Sequence, residues 1–144
     1  MPENNNFKFT DFRIKALHFK ANENFVMPKN NVVEFTTNID LSSKYDKKNK
    51  ALLIEIGLTQ LGEKVPFAFE INATGEFLFE KNVSKKELEI LSNINCPAIM
   101  FPYVREAIAD ISRRGGFTPL HLNPINFVKL AQKMKDEKEK AVKT

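Results

Sequence analysis

The run LLIEIGLTQLGEKVPFAFEINATGEFLFE, residues 52–80, constrains the fold more than any other part of the chain. Leu52, Ile54, Ile56 and Leu58 alternate with other residues, Gly62-Glu63 offers a turn, and Val65, Phe67, Phe69 and Ile71 alternate back. A period of two on both sides of a Gly-X pair reads as an antiparallel hairpin with one apolar face. With residues 62 and 63 as the loop, Leu58 faces Phe67, Ile56 faces Phe69 and Ile54 faces Ile71, so both apolar sets share a side. A slip of one residue would separate them. The same register sets Pro66 against Thr59, where proline has no N–H to give, and predicts a bulge or a lost ladder bond there. It also sets Glu55 against Glu70 on the other face, a mildly unfavourable like-charge pair. That pair is either a solvated surface or a small acidic spot for a basic partner.

The odd phase continues through Ala73, Gly75, Phe77 and Phe79, with a possible bend at Thr74-Gly75. Val33, Phe35, Ile39 and Leu41 form another alternating set. In the opening segment, Phe7 and Phe9, then Phe12 and Ile14, then Leu17 and Phe19 change phase twice, which predicts bulges. Four strands are expected, near 7–21, 31–44, 50–61 and 64–80. After Val83 the spacing becomes helical. Ser84 with Glu87 is a capping-box pattern for a helix over 85–94. A longer helix follows with Pro97 in its first turn, Pro102 as a kink, and Gly115-Gly116 as its stop. An extended piece, GFTPLHLNP, leads to a last helix capped by Asn123, with Ile125, Val128, Ala131 and Met134 as its apolar face. Strands first and helices second specify an α+β class with helices gathered on one side.

A chain of 144 residues is expected to form one domain over 1–144, ending in a charged tail, 135–144, that frays into solvent. One cysteine allows no internal disulfide, and MPENNNFKF has no apolar run of signal-peptide length, so a reduced cytoplasmic protein is expected. No stretch approaches the ~20 apolar residues of a bilayer span. The net charge of +4 is spread out, and the tail lysines mix with Asp136, Glu137 and Glu139 without interleaved aromatics, which disfavours nucleic acid.

Cys96 lies at a helix start, yet neither His18 nor His121 belongs to a motif with it, so a buried structural thiol is favoured over a nucleophile. Neither histidine has a ligand-spaced partner for a metal. Gly115-Gly116 leaves a helix C-terminus, where the dipole has the wrong sign for phosphate. The 13 Phe, with no Trp, supply large apolar faces, and three modest helices leave part of a four-stranded sheet to cover. Subunit contact and a chain-binding groove both account for that surplus.

The stretch CPAIMFPYVREAIADISRRGGFTPLHLNPINF, residues 96–127, closely resembles the most distinctive run of the bacterial SecB protein-export chaperones. Weaker resemblance extends through FRIKALHFKANENFVMP and LTQLGEKVPFAFEI. The resemblance implies a four-stranded antiparallel sheet with helices packed on one side, assembled as a homotetramer, a dimer of dimers. It implies no enzymatic activity, no catalytic or metal site and no cofactor. It further implies that unfolded preproteins are held in apolar grooves and passed to the motor ATPase SecA, without membrane insertion. On this basis Ile39, Leu41, Phe67, Phe69, Ile71, Phe117, Leu120 and Leu122 are expected in a groove or subunit contact. Glu70 and Glu55 are the candidates for a SecA contact. Where family members serving SecA are acidic on the outer sheet face, this chain has Asn22, Val26 and Ala68, leaving Glu70. The alternative partner is an antitoxin guarded by a dedicated SecB-like chaperone, and a nucleic-acid-binding oligomer is the second alternative.

Overall fold

A computed structural model describes residues 6–143, with side chains through Lys140. Residues 1–5, within the opening stretch that lacks a signal-like run, and Thr144 of the tail lie outside the described residues. Strands β1 (Phe7–Ala21), β2 (Asn38–Asp46), β3 (Ala51–Gln60) and β4 (Phe67–Phe79) form one antiparallel sheet in the order β1-β4-β3-β2. Helix α1 (Lys85–Ile90) runs through a π turn at Leu91–Asn95 into α2 (Cys96–Arg114), and α3 (Phe127–Lys143) follows. The expected α+β architecture, a four-stranded antiparallel sheet with helices on one side, is the one observed.

The two phase changes in β1 are two register shifts against β4, between Phe9 and Asp11 and between Ile14 and Ala16. Each shift inserts one residue and turns the following side chains back. Phe9 therefore pairs with Phe77, Phe12 with Gly75, Leu17 with Ile71 and Phe19 with Phe69, all on the helix-facing side. Without the bulges, one part of this apolar series would face solvent.

The hairpin has a different register from the expected one. Leu58 pairs with Ile71, Ile56 with Ala73 and Ile54 with Gly75, and the connection spans residues 61–66. This is a displacement of four residues, an even number, so each apolar side chain keeps its face. Pro66 explains the longer loop: unable to donate, it stays outside the ladder, and its carbonyl accepts from Asn22 N at 2.8 Å. No bulge opposite Thr59 is needed. The expected Glu55–Glu70 pair is likewise replaced, because Glu55 faces Thr74 and Glu70 faces Thr59.

Strand β2 begins at Asn38, seven residues later than expected, although Val33 and Phe35 retain the half-buried phase of Ile39 and Leu41. Ser84 caps α1 by accepting from Glu87 N at 3.2 Å. Pro97 cannot donate, and the chain passes it through a π turn in which Cys96 N donates to Leu91 O. Helix α2 continues through Pro102, which sits on its exposed side. The cap of α3 is Asn126, not Asn123: its Oδ1 accepts from Lys129 N at 3.1 Å, and its carbonyl accepts from Leu130 N at 3.0 Å. Phe127 is buried, Leu130 and Ala131 are half-buried, and Val128 and Met134, expected on the packed face, are exposed. The charged stretch 135–143 continues this helix.

The core lies between the sheet and α2, where Met100, Val104 and Ile108 have no exposed surface. Gly75 sets the distance between them, since a Cβ there would stand 2.6 Å from Met100 Sδ. Truncating Ile71, fully buried, to alanine should cost about 2–5 kcal/mol in urea unfolding. Val128→Ala, at a side chain 61% exposed, should stay within about 0.5 kcal/mol of the parent.

Candidate functional site

At the end of the sheet where β1 stops and β4 starts, the covering layer comes partly from two stretches without regular structure, residues 22–37 and 115–126. Phe67 is the centre of the cluster beneath them. Its ring centroid lies 5.0 Å from Phe19, 5.0 Å from Phe35 and 4.9 Å from Phe117. Phe69 adjoins it at 6.4 Å. Phe67 and Phe69 are buried, whereas Phe19, Phe35 and Phe117, one from each covering piece and one from β1, are half-buried. All four contacts are tilted, at centroid distances within the favourable range for aromatic pairs, each worth about 0.5–1.5 kcal/mol beyond area burial.

The sequence dictates how the second stretch is held. Gly116, at φ +92°, ends α2 with Gly116 N donating to Arg113 O and Phe117 N donating to Ser112 O, both at 3.0 Å. Only glycine takes that backbone conformation without strain, and the turn aims Phe117 back at the sheet. Gly115 must also lack a Cβ, because one would stand 2.6 Å from the Phe19 ring. Two polar side chains then fasten the strap to α2. Ser112 Oγ donates to Ile108 O at 2.8 Å and accepts from Leu120 N at 2.9 Å. Arg105 Nε donates to Leu122 O at 2.8 Å. Main-chain groups that a strand would satisfy are here satisfied by side chains of the helix, so the strap lies flat without joining the sheet.

Of the residues expected in the groove, Phe67, Phe69 and Phe117 meet in this ring cluster. Leu120 (half-buried) and Leu122 (buried) belong to the strap. Ile39 and Leu41 are half-buried on edge strand β2, opposite Leu58 and Ile56. Ile71 has no exposed surface and pairs with Leu17 and Leu58 inside the sheet. Glu55 and Glu70 occupy the opposite, outer face, and Glu55 is taken by Lys15 Nζ at 2.9 Å. Phe19, Phe35, Arg105 and Ser112 were not legible as parts of this site. Ser112 carried a signal, a polar residue four places beyond Ile108 on the apolar side of α2.

Cys96 has no exposed surface, and burial pushes its thiol up to about 12 from an ordinary value of 9.0. It is a protonated packing residue at neutral pH, not a nucleophile. His18 and His121 are both exposed, His18 on the outer face opposite Glu70 and His121 in the strap.

Comparison with known proteins places this fold in a family. The family model described as preprotein translocase subunit SecB matches residues 3–138. The chain belongs to the SecB family. The protein-export protein SecB of Magnetococcus marinus is 31% identical over 136 residues, 92% of this chain and 86% of the relative. That of Acidithiobacillus ferrooxidans is 39% identical over 92 residues, 60% of this chain and 61% of the relative. In that match the chain spans about three fifths of the relative's length. A solved SecB-like chaperone of Mycobacterium tuberculosis, in complex with a peptide from an antitoxin, superposes with a TM-score of 0.69 at 14% identity. It covers 83% of this chain and 90% of its own. At that identity the likeness concerns the fold.

Within this SecB-family fold the strap is tethered to α2 by Ser112 and Arg105, and Ser112→Ala removes the bond to Leu120 N while leaving the backbone of the helix intact. Loss of the Leu120 partner should cost about 1–3 kcal/mol. Limited proteolysis should then cut within 117–122 several times faster than in the parent. Cys96 supplies a second expectation. Above about pH 9 only the unfolded chain releases the thiol proton, so stability contributed by the neutral buried thiol is complete below pH 9 and falls as pH approaches 12. Urea unfolding should lose up to about 1.4 kcal/mol per pH unit in that window from this group, and Cys96→Ala should flatten the slope correspondingly.

Proposed function

We propose that this SecB-family protein is an ATP-independent chaperone that holds non-native polypeptides in an apolar groove, with no catalytic step and no cofactor. The observation that carries this reading is the aromatic cluster around Phe67, covered by two unladdered segments rather than by regular structure. Displacing Phe35 or Phe117 uncovers ring surface at the cost of few backbone hydrogen bonds. Apolar surface of that kind accepts apolar segments of any unfolded chain without reading their sequence. The groove or subunit-contact residues are Ile39, Leu41, Phe67, Phe69, Ile71, Phe117, Leu120 and Leu122.

The names of its relatives support export as the biological role, with unfolded preproteins as clients and the cytoplasm as the place of action. No described helix is long and apolar enough to cross a membrane. Assembly into a homotetramer agrees with the long edge strand β1, which carries exposed Ile14, and with Ile99 and Tyr103 exposed on α2. Glu70, exposed on the outer face, and Glu55 are the proposed contacts with SecA.

One observation favours a second reading, a chaperone dedicated to an antitoxin. The outer face balances carboxylates with cations, Lys15 pairing with Glu55 at 2.9 Å and Arg13 with Asp11 at 3.0 Å, and position 68 there is an alanine. A basic chain with that face is a weak docking partner for SecA. Affinity isolation from the native cytoplasm distinguishes the two: many precursor proteins support export, and one small partner supports the dedicated role.

Purified protein without ATP should suppress aggregation of a refolding substrate at a near-stoichiometric ratio. The double substitution Leu41→Ser and Phe117→Ser, at half-buried positions, should weaken suppression at least tenfold, whereas Val128→Ser should not. Absence of suppression by the parent for several unfolded substrates contradicts the proposal.

A further inference from the structure

Strands β2 and β3 pair from Asp46 and Ala51 as far as Asn38 and Thr59, and there the ladder stops. Extending that register would set Thr36 against Leu61, Glu34 against Glu63, Val33 against Lys64 and Val32 against Val65. The two backbones instead diverge around a cleft of about 780 Å³, lined by Val32, Val33, Glu34 and Thr36 on one side and by residues 60–65 on the other. Among the described residues no backbone hydrogen bond crosses it. Closing the ladder would oppose Glu34 and Glu63, a like-charge pair, and Gly62 at φ +143° leads the second backbone away.

Gln60 stands at the root of this opening. It is 3% exposed, its Nε2 donates to Leu61 O at 2.9 Å, and its Oε1 is the buried side-chain acceptor without a partner among the described residues. An orphaned acceptor at that depth is destabilising and calls for a donor. The N–H groups of Val33, Glu34 and Phe35 on one bank, and of Gly62 and Lys64 on the other, also have no protein acceptor among the described residues.

We propose that the split end of the β2–β3 ladder is a strand-insertion site, in which an extended segment of a bound polypeptide takes main-chain hydrogen bonds from both banks and donates an N–H to Gln60 Oε1. The size fits. A strand residue fills about 160 Å³, given a rise of ~3.4 Å, a strand spacing of ~4.8 Å and a sheet spacing of ~10 Å. The cleft thus holds roughly five residues, the length over which the two banks run opposite each other. Backbone recognition of this kind is independent of side-chain sequence. It rests on the polypeptide-binding reading above and adds to the ring cluster a second mode of holding the same chain.

Hydrogen–deuterium exchange of the full protein, with and without a reduced and carboxymethylated polypeptide that cannot refold, tests it. Binding itself is scored separately by fluorescence anisotropy of the labelled polypeptide. At saturation the amides of Gly62 and Lys64, and those of the residues in 33–35 whose N–H faces the cleft, should slow tenfold or more. Slowing below tenfold with binding intact overturns the insertion site and leaves the chaperone reading standing. Absence of binding overturns the chaperone reading and the insertion site with it. Slowing that depends on protein concentration without polypeptide assigns the cleft to a second copy and overturns the proposal. Gln60→Leu gives an independent readout: removing the orphaned acceptor should raise the unfolding midpoint of the free protein and weaken polypeptide binding about fivefold. A variant that loses stability and binds as the parent does contradicts the role of Gln60 and the site with it.

Discussion

One helix is too narrow for the sheet beneath it. The four strands span about 14 Å between the axes of the outer pair, and a helix with its side chains is about 10–12 Å across. Helix α2 packs on β1, β4 and β3 and seals the apolar side there, leaving the β2 side and the Phe67 end to other parts of the chain. Everything distinctive in the structure follows from how that remainder is covered. The π turn at Leu91–Asn95 meets β2, and at the Phe67 end irregular segments form the cover, bringing one phenylalanine each, Phe35 and Phe117, onto Phe67.

The covering segments are held by a few specific bonds rather than by ladders. Ser112 and Arg105 on α2 fasten the strap, and Asn22 Nδ2 fastens the β3–β4 loop by donating to Glu63 O at 2.9 Å and Val65 O at 3.1 Å. Segments held in this way belong to the part of a protein that opens most readily. The same economy that leaves the sheet incompletely covered therefore places its weakest attachments over the aromatic cluster around Phe67. Binding of unfolded chains needs that combination: apolar area that stays soluble while closed and can be uncovered without unfolding the core.

The faces of the strands were legible in the sequence, and their partners were less so. Alternation in β3 and β4 and the double phase change in β1 depend only on the two-residue repeat of the backbone, so they survive any even displacement of register. The register itself was misread because Gly62-Glu63 resembles a complete turn, while the decisive residue was Pro66, which cannot enter the ladder. The start of β2 was misread for a related reason. Val33 and Phe35 keep the burial phase of a strand, but phase does not create a partner, and Glu34 opposite Glu63 opposes one. In α3 the Asn-Pro at 123–124 mimics a helix start that Asn126 provides three residues later. Ring cluster members from β1 and the 22–37 stretch, and the tethers Ser112 and Arg105, depend on contacts between segments far apart in the chain, which periodicity does not encode.

The central claim is that non-native polypeptide lodges on the helix-facing side of the sheet, beneath Phe35 and Phe117, and not on the outer face. Photo-crosslinking tests it most directly, with a benzophenone side chain placed in turn at Phe35, at Phe117 and at Thr74 on the outer face, in the presence of a permanently unfolded polypeptide. Strong crosslinks from residues 35 and 117 with little from residue 74 are expected. Equal labelling from residue 74, or labelling from that position alone, would contradict the account.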